Sequence, residues 1–337
     1  MKNSHKPRSP LLWPLLGLAF LILLNVFMDL RAGEWRFLKI TILDDHLYGL
    51  PIDILNQGSR GMLLALGMTL VLATGGVDLA VGSLMGVAGS VAAVLLTRHG
   101  VGWPLATAAA LGVVVFGGAL SGWLVARLNV QPIVATLIIM VAGRGVAQLV
   151  TSGEVVLIKN PAFEYLGNGF VFGVPFSVLL VAALYLATHR FLRRTAVGLF
   201  IEAAGDNETA SRFAGLGAAR LKTLVYVFCG FCAGLAGLLA ASNIRAADPY
   251  RAGENMELDA IFAVVVGGTA LTGGRFWLMG SLIGALLLQT LTTSLYNLGV
   301  SPPVATVPKA ILIIVVCLMQ SDKTRKWLRG LFQRRTT

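Results

Sequence analysis

Long apolar stretches without a single formal charge constrain this chain more than any other feature. Leu11 to Met28, Leu79 to Thr97, Tyr165 to Thr188, Thr223 to Ile244 and Phe276 to Pro308 contain no Asp, Glu, Lys or Arg. Each reaches the roughly 18 to 20 residues that carry a helix across about 30 Å of hydrocarbon. Over the whole chain 56% of residues are hydrophobic and 13% are charged, against roughly a quarter charged in soluble domains. A bilayer offers no water to backbone amides, so helices must dominate. The expectation is an all-α polytopic membrane protein, one transmembrane domain over residues 1–337. About ten segments are predicted: 11–29, 52–74, 79–97, 103–126, 131–150, 171–191, 222–242, 258–272, 274–297 and 303–320.

Charge placement gives the orientation. With the first segment entering from inside, 17 of the 27 basic residues fall inside. They are Lys2, Lys6 and Arg8; Arg127; Arg190, Arg193, Arg194, Arg212, Arg220 and Lys222; Arg275; and, in a basic tail at 321–337, Lys323, Arg325, Lys326, Arg329, Arg334 and Arg335. The 243–259 loop instead holds Arg245 and Arg251 against Asp248, Glu254, Glu257 and Asp259. Cytoplasmic loops carry the Lys and Arg excess, and an even number of spans then puts both termini in the cytoplasm. A net charge of +11 distributed by topology rather than along one face argues for a membrane and against nucleic acid. The first apolar run resembles a signal peptide, but its length and the absence of a small-x-small cleavage site before Asp29 and Arg31 make it a retained helix. Cys229 and Cys232 have the spacing of a redox pair. Set inside an apolar helix without a neighbouring cation to lower a thiol pKa, they are read as packing residues.

Two glycine-rich breaks interrupt the apolar pattern: Thr74-Gly75-Gly76-Val77-Asp78 and Gly267-Gly268 through Gly273-Gly274-Arg275. Each is followed by Gly-Ser-Leu-x-Gly, at Gly82 to Gly86 with Ser83, and at Gly280 to Gly284, a faint internal repeat. Two readings stand. The glycines, with Ser90, permit close helix packing, or helices break at mid-membrane around a substrate path. Asp78 favours the second, because a carboxylate there costs ~3 kcal/mol or more without a partner; it is also placed to cap the next helix through the amides near Val81 and Gly82. Arg144, with Gln148 one turn further on the same face, either pairs structurally with a carboxylate such as Asp78 or offers donors to sugar hydroxyls. Gln131 before Pro132 marks a helix start.

Residues 193–222 form a polar island. Phe200, Ile201, Ala204, Ala210, Phe213, Ala214 and Leu216 alternate there with Glu202, Asp206, Asn207, Glu208 and Arg212, which suits short helices at a membrane surface pressing on a partner. No G-x-x-x-x-G-K-[ST] occurs, so the chain has no phosphate cradle of its own. His5, His46, His99 and His189 are scattered near segment ends, and no nucleophile has a neighbouring base. A transported solute, not a reaction, is expected, with Asp78 as the coupling carboxylate if an ion gradient were the driver.

The chain resembles the permease subunits of ATP-binding cassette sugar importers of the ribose and galactose branch. The resemblance rests on ALGMTLVLATGGVDLAVGSLMG at 65–86, EAAGDNETASRFAGLGAARLKTLVYVFCGFCAGLAG at 202–237 and AVVVGGTALTGGRFWLMGSLIGALL at 263–287. YGLPIDILNQ at 48–57, QPIVATLIIMVAGRGVAQLVTSG at 131–153 and MELDAIFAVVVGG at 256–268 look most like galactofuranose permeases. The resemblance implies an inner-membrane importer built from two permeases, identical or paralogous, a separate ATPase carrying ATP and Mg, and a periplasmic sugar-binding protein, with no cofactor on this chain. It implies a coupling helix near Asn207 to Leu216, with Glu202, Gly205, Asn207, Ala210, Gly215 and Lys222 matching the family pattern and Arg212 departing from it. On the reading in which the helices break around a substrate path, Gly75, Gly76, Asp78, Ser83, Arg144, Gln148, Gly267, Gly268, Gly273 and Gly274 lie along the translocation path. The cargo implied is galactofuranose or a related pentose or hexose.

Overall fold

A computed structural model describes residues 11–31, 33, 37–43 and 46–320. Lys2, His5, Lys6, Arg8 and the basic tail at 321–337 lie outside the described residues. The order is α1 (Leu12–Arg31), β1 (Thr41–Leu43), β2 (His46–Tyr48), α2 (Leu50–Ala73), α3 (Val81–Thr97), α4 (Trp103–Ala126), α5 (Pro132–Thr151), β3 (Val156–Leu157) and α6 (Pro161–Asn168). Then follow β4 (Phe170–Val171), β5 (Val174–Pro175), α7 (Phe176–Arg194), α8 (Val197–Asp206), α9 (Glu208–Phe213), α10 (Ala218–Ile244), β6 (Ala246–Ala247), α11 (Met256–Val266), α12 (Leu278–Asn297) and α13 (Pro302–Gln320). Among the described residues, α1, α4, α5, α7, α10 and α12 are long and apolar enough to cross a membrane.

Local chemistry explains most boundaries. Proline stands in the first turn of α2, α4, α5 and α6, where its missing amide hydrogen would lack a partner anyway. Gln131 is the residue before α5, as its sequence predicts. The Asn160 side chain caps α6 by accepting from the Phe163 amide at 3.1 Å. α7 begins five residues later than expected because Phe170–Pro175 folds into a hairpin, β4 with β5, turned through Phe172 and Gly173 at φ 52° and 77°, the double positive that a tight two-residue turn demands.

α10 is the central post, packed against α2, α3 and α4. Small residues set these distances. A methyl group on Gly118 would meet the Tyr226 carbonyl oxygen at 2.6 Å, and one on Gly230 the Val114 carbonyl at 2.7 Å, so α4 and α10 touch backbone to backbone as small-residue helix pairs do in lipid. Cys229 and Cys232 are fully buried free thiols against Gly67 of α2, which places them in packing. α1 joins the bundle through α12: Asn25 donates to Ser294 Oγ at 2.7 Å.

The predicted segment 258–272 is corrected. Its helix, α11, stops at Val266 after 11 residues, and 267–277 is irregular because Gly267, Gly268, Gly273 and Gly274 give the chain freedom to turn. Gly268, Gly273 and Gly274 take φ of 96°, 88° and 94°, conformations an L side chain resists.

Candidate functional site

The polar island folds as two short helices, α8 and α9, with Asn207 between them. Asn207 Oδ1 accepts from the Ala210 amide at 2.9 Å, the N-cap geometry that satisfies an otherwise free donor. The expected helix over Asn207 to Leu216 is therefore shorter, six residues ending at Phe213, and a second helix precedes it. Lys222 at the start of α10 pins α9 through Glu208 at 2.6 Å, while Leu216 N donates to Ser211 O at 3.0 Å. Glu202 is half-buried and Ala210 exposed. Phe213 stands 89% exposed, an apolar side chain with no place to go within this chain. Gly215 has φ 82° and open space where a side chain would lie.

Gly205 is the hinge point of the loop. Its Cα faces the Ala73 carbonyl at the end of α2, and an added methyl would also sit 2.5 Å from the Gly274 amide. That amide donates to the same Ala73 carbonyl at 2.9 Å. Gly273 in turn lies against Gly75 and Gly205. The two glycine breaks, far apart in sequence, are thus one joint, and the loop rests on it.

Asp78 is fully buried beside this joint. Its Oδ1 accepts from the Ala80 amide at 2.9 Å, one residue earlier than the expected Val81 and Gly82, while its Oδ2 is buried without a hydrogen-bond partner among the described residues. Gly76 abuts Tyr226, whose hydroxyl donates to the Val77 carbonyl at 3.2 Å. Arg144 does not pair with Asp78. It donates through Nη1 to the Ala252 carbonyl at 2.5 Å and faces Glu257 electrostatically, because α5 crosses α3 where the 248–255 segment folds back into the bundle. Gln148 is half-buried one turn on. Ser83 donates to the Ala80 carbonyl at 2.9 Å and touches Gly143.

The internal repeat has a structural counterpart. Gly82 and Gly86 of α3 seat residues 252–253 and Glu257, and Gly280 and Gly284 of α12 seat Gly267 and Ala263. α11 is clasped at its start by one copy and at its end by the other.

Above this clasp lies a cavity of about 500 Å³. It is lined by Gln57 to Gly61 of α2, Met85 and Gly89 of α3, the last third of α10, the 246–254 loop, α11, Ala285 to Tyr296 of α12 and Lys309, so it occupies the end of the bundle away from α8 and α9. Gln57, Arg60, Arg251, Gln289, Thr292 and Tyr296 supply donors and acceptors. Lys309 is neutralised inside the wall by Asp259 at 3.1 Å. A half-buried pair of opposite charges in such a wall costs less than either alone. None of the ten residues expected along the translocation path lines this cavity. Polar clusters at one end of otherwise apolar helices, Asn56 to Arg60 in α2 and Gln289 to Ser294 in α12, were the available signal.

Comparison with known proteins follows the same lines. The family model described as branched-chain amino acid transport system / permease component matches residues 50–317. The galactofuranose transporter permease protein YtfT of Escherichia coli (strain K12) is 40% identical over 100% of this chain and 98% of its own. The fructose import permease protein FruF of Bifidobacterium longum is 36% identical over 94% and 88%, and the ribose import permease protein RbsC of Escherichia coli (strain K12) is 40% identical over 80% and 85%. No solved structure matches the chain. With the family matched over most of its length and sugar permeases aligned from end to end, this chain belongs to the multi-pass permeases of ATP-binding cassette importers, in their ribose- and galactose-type sugar branch.

Proposed function

We propose that this permease carries a neutral monosaccharide, galactofuranose or a related pentose or hexose, through the inner membrane into the cytoplasm. The observation that carries this reading is the 500 Å³ cavity, within the range of small-molecule sites, with hydrogen-bonding side chains and balanced charge. Such a lining suits a solute rich in hydroxyls and without charge. The chain then crosses the bilayer about ten times with both termini inside, the cavity facing the periplasmic binding protein. A separate ATPase, holding ATP and Mg, docks on α8 and α9, where Phe213 and Arg212 are exposed, and a second permease, identical or paralogous, completes the path.

In this scheme ATP closes the ATPase pair, the docked helices shift, and Gly205 passes the shift to the joined ends of α2 and the 267–277 segment. Energy is transmitted only to the extent that ATP favours one packing over the other. Proteoliposomes containing the chain, its companion permease and ATPase, and binding protein test the reading. ATP-dependent uptake of galactofuranose, lowered by Gln289→Leu or Arg60→Leu with ATPase assembly intact, is the expected result. Uptake driven by a proton or sodium gradient without any ATPase, and lost in Asp78→Asn, would overturn it.

A further inference from the structure

We infer that an apolar groove between α7, α8 and α10 holds one acyl chain of an anionic phospholipid, with the headgroup resting on Arg194 and Arg220. The groove encloses about 420 Å³ and has an almost wholly apolar lining, Thr188 being the sole polar residue in it. Leu184 and Phe191 of α7 form one wall, Leu221 and Phe228 of α10 the other, Leu70 of α2 the floor, and Ile201 of α8 the end. From Leu221 to Phe228 the groove runs about 10 Å along the helix, against roughly 15 Å for half of the hydrocarbon layer. Its cross-section is then about 40 Å², half or less of what a helix of 10–12 Å diameter occupies. A polymethylene chain fits and a partner helix does not.

The end of the groove nearest α8 carries the complementary charge. α7 finishes at Arg194 and α10 begins two residues before Arg220, both exposed, and neither forms an ion pair among the described residues. They are three residues and one residue from the lining Phe191 and Leu221, at the ends of two helices long and apolar enough to span a membrane. The occupant would touch Ile201 and Val197 of α8, so its presence bears on the helix that leads to Gly205. This inference needs only the membrane setting and is independent of which sugar is carried.

Native mass spectrometry of the full-length chain in mild detergent, offered phosphatidylglycerol and phosphatidylcholine of matched chains, tests it. The wild type is expected to retain one phosphatidylglycerol in preference. Arg194→Gln and Arg220→Gln should each cut that preference about fivefold, and Leu224→Trp, which fills the groove from an exposed position, should abolish retention of both lipids. An unchanged preference in the arginine variants would overturn the proposal. So would lipid retention by Leu224→Trp, or disulfide cross-linking of Leu224→Cys between copies in native membranes, which would mean that a second permease covers the groove.

Discussion

Gly205 and Ala73 are in backbone contact, a residue of the polar loop pressed onto the carbonyl that ends α2. No side chain intervenes, so a displacement of α8 reaches the transmembrane helices without being absorbed by rotamer changes. Because the Gly274 amide binds that same carbonyl, α2 and the 267–277 segment receive the displacement together.

Gly205→Ala should therefore uncouple the importer. The added methyl meets backbone on two sides, and a fall in sugar-stimulated ATP hydrolysis of about tenfold or more, equivalent to ~1.4 kcal/mol, is expected with membrane insertion preserved. Normal stimulation in reconstituted complexes would remove the contact from the coupling route.

Gly215→Ala behaves differently. A methyl there meets open space; only the positive φ is strained, at ~1 kcal/mol. A thermal-unfolding shift of that size with coupling retained is the expected pattern. Loss of coupling without loss of stability would mean that the ATPase itself occupies that space.

Lys309 and Asp259 should show strong interdependence. Lys309→Met alone leaves a half-buried carboxylate without its partner and is expected to cost ~2 kcal/mol or more. The double variant with Asp259→Asn should recover much of that. Double-mutant cycles of detergent-solubilised protein measure the coupling; additive losses would show that the pair contributes nothing.

Asp78→Asn should leave ATP-driven uptake near wild type, because an amide oxygen still accepts from Ala80. Asp78→Leu removes that acceptor and should cost ~1–3 kcal/mol. Parallel denaturation and uptake measurements separate the two; a transport defect in Asp78→Asn at full stability would give the carboxylate a role in translocation.

What was legible in the sequence follows from the solvent. Apolar runs interrupted by Gly and Pro marked the long helices, six of which are long and apolar enough to span among the described residues, since lipid forces helix wherever backbone is exposed to it. The polar island was legible for the same reason. The resemblance implied a short helix near Asn207 to Leu216, but not that α9 ends at Phe213, where Gly215 turns the chain. The partner of Arg144 was invisible, because a backbone carbonyl at Ala252 leaves no chemical trace in the sequence. Arg60 and Gln289 were passed over for the glycine breaks: motifs stand out by local pattern, whereas a cavity gathers one residue from each of several helices. The breaks themselves stand out in the sequence, yet their joining through Ala73 and Gly274 depends on three-dimensional closure.

The glycine clasp around α11 has a mechanical corollary. Gly82 and Gly86 on one side and Gly280 and Gly284 on the other present smooth backbone, with no knobs for holes to grip. A helix held this way is confined sideways by close backbone contact and tied at its cavity end through Asp259 to Lys309. Any stroke delivered at the 267–277 end would reappear at Asp259 and Glu254 in the cavity wall, where it would alter the space available to a solute.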